Sequence, residues 1–140
     1  MRLILKEQED GYPSIAIRTP QDAFEHSKQI AGDTEVVACI FLNTKNKMIA
    51  LEILAGGGIN GCVLDHRPIF RAALMRNASN IIIVHNHPTG ELTPSVEDLA
   101  ITRKLVEAGK ILNIMVHDHI IISSDSYYSM RERGIVTFGE

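Results

Sequence analysis

A mixed α/β fold, a central β-sheet packed by helices, is what this sequence predicts, and three observations carry the prediction. Residues 35–42 and 81–84 are apolar runs of strand length, the pattern of strands buried on both faces. Segments 67–77 and 95–110 have the periodicity of amphipathic helices and alternate with those runs. The polar stretch 43–47 joins the first run to a second apolar segment, 48–54, as a hairpin loop joins antiparallel strands.

The remaining elements follow in chain order. Residues 2–5 and 14–18 read as short peripheral strands around the turn signal Asp10-Gly11-Tyr12-Pro13. Thr19-Pro20 opens a helix, with Thr19 as N-cap and Pro20 in its first turn, and Gly32 ends it. His26 on that helix reads as a surface histidine. The glycines of 55–61 lack the order of a phosphate-binding loop, and no helix follows directly. They read as a turn before a short strand, 62–64. Gly109 is expected to end the helix begun near Ser95. Two strands, 111–117 and 119–123, are expected to meet at Asp118, and 126–133 to form a last helical piece ended by Gly134.

A chain of 140 residues fits one domain, 1–140, with 1–19 peripheral. At that length it buries roughly two-thirds of its unfolded surface and needs no disulfide to fold. Hydrophobic residues make up 45% of the chain and the net charge is −3, so ordinary globular folding is expected and general affinity for a nucleic-acid backbone is not. Cys39 and Cys62 are far apart among apolar residues and read as buried free thiols. The apolar N-terminal run is too short for a signal peptide, and no segment is long enough to span a bilayer. A cytoplasmic protein is therefore expected.

The chemistry concentrates between His85 and Asp98, in His85-Asn86-His87-Pro88-Thr89-Gly90 and Pro94-Ser95-Val96-Glu97-Asp98. Two histidines one residue apart at a strand end share a face, and Asp98 arrives from the first turn of the next helix. Two imidazoles and a carboxylate without cysteine make the donor set of a catalytic zinc site, which keeps a position for water. Ser95 with Asp98 also fits a helical capping box. Amide hydrolysis would further need a proton-transferring base that is not a ligand. Glu35 heads the candidates, with Glu52 and Glu91 as rivals. A second cluster, His117-Asp118-His119, places both histidines on one face of a strand and Asp118 on the other. A structural hydrogen-bonding role is expected for it ahead of support for the zinc ligands.

These residues resemble the JAMM motif of JAB/MPN metalloproteases, and in particular the RadC-like branch. The resemblance runs over about residues 20–138 and includes Phe41-Leu42-Asn43-Thr44-Lys45-Asn46, Phe70-Arg71-Ala72-Ala73-Leu74 and Ser129-Met130-Arg131-Glu132-Arg133-Gly134. It implies a JAB/MPN-like, cytidine-deaminase-like fold and a zinc peptidase or isopeptidase acting on a peptide or protein. Zinc would sit on His85, His87 and Asp98, with Ser95 stabilising the oxyanion and Glu35 as the upstream catalytic glutamate. Many RadC-like proteins carry Pro-Arg-Glu where this chain has His66-Arg67-Pro68, and that glutamate is absent here. Nothing before residue 20 is long enough for the helix-hairpin-helix module of full-length members, so a short stand-alone form is expected. The alternative is a binding module in DNA repair or recombination, associated with mobile elements, without turnover.

Overall fold

The computed structural model describes residues 3–7, 14–56 and 64–138. Six strands form one mixed sheet: β1 (Leu3–Glu7), β2 (Val36–Leu42), β3 (Met48–Gly56), β4 (Asn80–Asn86), β5 (Met115–Ile122) and β6 (Tyr127–Ser129). Their spatial order is β1-β3-β2-β4-β5-β6, with β4 and β5 parallel and every other neighbouring pair antiparallel. The apolar runs read from the sequence are thus β2 and β4, side by side at the centre, each buried except at its first residue. Strands covered on both faces cannot alternate polar with apolar, which is why their sequences are continuous.

Helices cover both faces. On one, α1 (Pro20–Ser27) and a following 3₁₀ turn (Lys28–Ile30) pack Phe24 and Ile30 onto Ile40, Ile82, Val84 and Ile120. On the other, α2 (His66–Met75), α3 (Val96–Leu112) and α4 (Met130–Arg133) cover Phe41, Ile81, Ile83 and Ile121. Thr19 caps α1 as expected, and Asp22 completes a capping box with it.

Four segments depart from expectation. Residues 14–18 form no strand; Ala16 makes a single bridge to Lys47, because the segment bonds the hairpin loop and the start of β3 instead of a strand edge. The helix α3 continues through Gly109 to Leu112 and closes at Asn113, whose φ of 58° is left-handed. Gly109 serves packing: a Cβ there would run into the Ile114 carbonyl. The two strands expected around Asp118 are one, β5, starting at Met115 because α3 occupies 111–112. Residues 127–129 are a strand rather than a helix, since Tyr127, Tyr128 and Ser129 pair with the open edge of β5; α4 begins only at Met130, capped by Ser129. The turn at 10–13, Cys62 and Val63 of the strand predicted for 62–64 lie outside the described residues, as do five of the seven residues predicted as a Gly-rich turn. Leu64, the last residue of that predicted strand, is described and is in no strand. Cys39 is a buried free thiol, and burial, helped by the charge of Glu52, pushes its pKa up.

Candidate metal centre

The C-terminal end of β4 delivers His85 onto the α3 face, in line with Ile81 and Ile83 of the core. His87 follows one residue past the strand, with its ring edge-on to that of His85 at 4.8 Å between centroids. The first turn of α3 brings Asp98. His85 Nδ1 lies 3.5 Å from one Asp98 carboxylate oxygen, and His87 Nε2 lies 3.5 Å from the other. Those separations are long for hydrogen bonds. They match the edge of a tetrahedron with bonds of about 2.1 Å, which is about 3.4 Å.

Three further observations fit a cation here. One donor atom from each of His85, His87 and Asp98 lies within 4.8 Å of the other two. His85 Nδ1 is buried and makes no hydrogen bond. His87 Nδ1 lies 2.7 Å from the Glu91 carbonyl, which can only accept, so Nδ1 carries the proton and the metal-facing Nε2 keeps its lone pair. Electrostatics agree. Without metal, contact with Asp98 raises the His87 pKa. Burial works against ionising Asp98, yet His87 and the Ser95 N–H hold it well below the usual carboxylate range. A proton shared there occupies the place a cation would take.

Glu35, one residue before β2, sets Oε1 2.9 Å from His85 Nε2, fifty residues away in sequence. Ser95 N-caps α3: its Oγ accepts from Asp98 N–H at 3.0 Å, while Asp98 Oδ2 accepts from Ser95 N–H at 2.9 Å. The capping box and the ligand geometry therefore coexist in Asp98. A hydroxyl that accepts retains a proton to donate, so capping does not withdraw Ser95 from other work. Glu35, His85, Ser95 and Asp98 line one cleft of about 290 Å³, closed on its apolar side by Val37, Leu64 and Ile101. A larger cavity, about 480 Å³, opens beside Ser79 and Gly109, and its lining holds no histidine, cysteine or carboxylate. The rival acids lie elsewhere. Glu52 is fully buried and ion-paired with Arg76 at 3.1 Å, and the Glu91 carboxylate turns to Thr93.

The second histidine cluster divides. The parallel register pairs Ile81 with Val116 but Ile82 with Asp118, so His117 is an extra residue on β5, a bulge. His117 and His119 therefore do not share a face, contrary to expectation. His117 bonds Asn46 beside the hairpin, and Asp118 accepts from Ser129 and from the Arg131 N–H. His119 crosses to the α3 side, its ring 5.7 Å from that of His85. Thr102 donates to the Asp98 carbonyl at 2.6 Å, so His119 Nδ1–H must donate to Thr102 Oγ, also at 2.6 Å. Burial, reinforced by His85, pushes the His119 pKa down to about 3 and keeps it neutral. Thr102 was not foreseen, although its place one turn after Asp98 was a readable signal. Asn86 was also missed: it turns to the opposite face and bonds the backbone of residues 32–36.

Among the described residues no helix is long and apolar enough to cross a membrane. Residues 17–135 match the family model described as RadC-like JAB domain. The chain is similar to the UPF0758 protein of Listeria monocytogenes serotype 4b, 40% identical over 94% of this chain and 58% of the relative. It is likewise 40% identical to the UPF0758 protein of Caldanaerobacter subterraneus, over 98% of this chain and 58% of the relative. To the UPF0758 protein of Methanococcoides burtonii it is 38% identical, over 89% of this chain and 56% of the relative. The chain thus spans a little over half the length of these relatives. The match over most of its length and the likeness to named relatives agree: this chain belongs to the RadC-like JAB domain family.

Proposed function

We propose that this domain is a zinc-dependent hydrolase of peptide or isopeptide bonds. The observation that carries the reading is the convergence of donor atoms from His85, His87 and Asp98, two of which, His85 and Asp98, line a cleft with the Glu35 carboxylate and the Ser95 hydroxyl, neither in the ligand set. Zinc bound there would polarise the scissile carbonyl and activate water. Glu35 accepts the proton from the attacking water and returns it to the leaving amine. Ser95, fixed as the cap of α3, donates its hydroxyl proton to the developing oxyanion. The Glu91 carbonyl holds the His87 ring in its ligating tautomer. Val37, Leu64 and Ile101 keep one wall of the cleft apolar, which strengthens these charge interactions. The substrate is a peptide or protein.

The test is a peptide-library digest by the zinc-loaded protein with Glu35→Gln as control. Turnover should fall about 10²- to 10⁴-fold in the variant, the range of a lost general base, with zinc content unchanged. A Glu35→Gln protein that cleaves as fast as the parent would remove Glu35 from the mechanism. A parent that binds no zinc would remove the reading itself.

A further inference from the structure

We propose that Asn86 positions Glu35 over the metal centre, an inference that rests on the hydrolase reading above. The backbone ladder between β2 and β4 ends at the pair Val37 and His85. On the other side the β2–β3 ladder runs one residue further, to Val36 and Gly56, and Glu35 lies just beyond both. The Asn86 side chain takes over. Its Oδ1 accepts from the Val36 N–H at 2.6 Å, and its Nδ2 donates to the Thr34 carbonyl at 3.0 Å and to the Gly32 carbonyl at 3.4 Å.

These partners bracket Glu35. The Thr34 carbonyl belongs to the peptide unit before it, and the Val36 N–H to the unit after it. Holding both planes from one side chain restrains φ and ψ of Glu35, and therefore the direction in which its side chain leaves the backbone. The carboxylate then meets His85 at 2.9 Å.

Asn86 is suited to this by position and by chemistry. It is 1% exposed and is the last residue of β4, between His85 in the strand and His87 just past it, so alternation sends its side chain to the face opposite theirs. One short segment thereby presents two imidazoles above the sheet and grips the glutamate's backbone below it. Only an amide of this length offers one acceptor and two donors at once. The amide orientation is settled by its partners, because two carbonyls can only accept and an N–H can only donate. An aspartate would keep the bond to Val36 and set a negative charge against two carbonyls. Asn86 touches no reacting atom, and its role is positional.

The experiment compares the parent, Asn86→Ala, Asn86→Asp and Glu35→Gln proteins, and the Asn86→Ala/Glu35→Gln double variant. In the metal-free proteins, hydrogen exchange at the Val36 amide should speed up about tenfold or more in Asn86→Ala. Loaded with Co²⁺, the parent should show a visible absorption band whose pH midpoint shifts in Glu35→Gln. Both Asn86 variants should shift the same way, with Co²⁺ affinity within about threefold of the parent, below the loss expected on removing a ligand's own support. In hydrolysis, kcat should fall about 10-fold or more with KM unchanged, and Asn86→Ala should add less than about twofold in the Glu35→Gln background. Asn86 variants that fold and keep the parent's pH midpoint and kcat, while Glu35→Gln changes both, overturn the proposal. A parent with neither a Co²⁺ band nor hydrolysis overturns the hydrolase reading, and this role with it. Asn86→Asp, nearly isosteric, serves if Asn86→Ala does not fold.

Discussion

His85-Asn86-His87 and His117-Asp118-His119 have the same histidine spacing and end up on neighbouring parallel strands, β4 and β5. In the first, regular pairing persists through His85, so both imidazoles emerge on one side and meet Asp98. In the second, the bulge at His117 shifts the phase by one residue. His117 then serves the hairpin, Asp118 anchors Ser129 and Arg131, and His119 alone turns back toward the first cluster. Two histidines at alternate positions become a ligand pair only when the strand between them stays in register.

The contrast breaks first under ligand removal. His87→Ala and Asp98→Ala should each weaken zinc binding by more than about 100-fold, beyond the loss typical of outer-shell changes. His117→Ala should leave it within about twofold. Competition with a chromophoric chelator reads both, and comparable losses in all three would mean that the second cluster shares the metal.

Next comes the link between the clusters. Thr102→Val removes the hydroxyl that joins His119 to the Asp98 carbonyl. Zinc affinity should drop about 10- to 100-fold. Stability of the metal-free protein should drop about 1–3 kcal/mol, the cost of a buried unpaired donor, measured by urea unfolding.

His119 also predicts an acid response in the metal-free protein. It takes up a proton only near pH 3 when folded, against about 6.5 when unfolded. Between those values the unfolded state binds more protons, so this residue makes stability fall as pH falls, by at most about 1.4 kcal/mol per pH unit. His87 has the opposite sign: its pKa is raised, so its contribution is complete below about 6.5 and lost as pH rises through the folded value. Asp98, with a lowered pKa, loses its contribution only as pH drops below about 3.9. Urea unfolding at pH 6.5 and 4.5 also reads His117, whose pKa burial lowers in the same sense. His119 is therefore reported by the difference between the parent and His119→Asn, which should flatten the slope. Equal slopes would show that His119 is not held neutral.

The smallest effect tests the entry to β5. Gly109→Ala should destabilise by about 1–2 kcal/mol, because the new methyl meets the Ile114 carbonyl just before the strand starts. In an open helix the same change stabilises by about 1 kcal/mol, so thermal unfolding decides the question by sign.

Much of this was legible in the residues. Continuous apolar runs marked β2 and β4, capping chemistry placed the starts of α1 and α3, and the motif spacing named His85, His87 and Asp98. Other features were hidden for identifiable reasons. Gly109 looked like a helix end, because a glycine needed for close approach and one needed for a left-handed turn are the same letter. Residues 127–129 looked helical, because local propensity carries no information about an unpaired strand edge elsewhere. The bulge in β5 had no signature at all, since it arises from pairing with β4.

The sequence by itself determined the mixed α/β class, the central strands and the three donors, because periodicity and ligand chemistry are local properties of a chain. Only the tertiary structure decided how other groups, Glu35 among them, reach those donors. Glu35 reaches His85 across fifty residues, Thr102 joins Asp98 to His119 between α3 and β5, and Asn86 grips residues 32–36 where the ladder stops. Those contacts depend on strand order and register, which are set by how the whole core packs and not by any one segment.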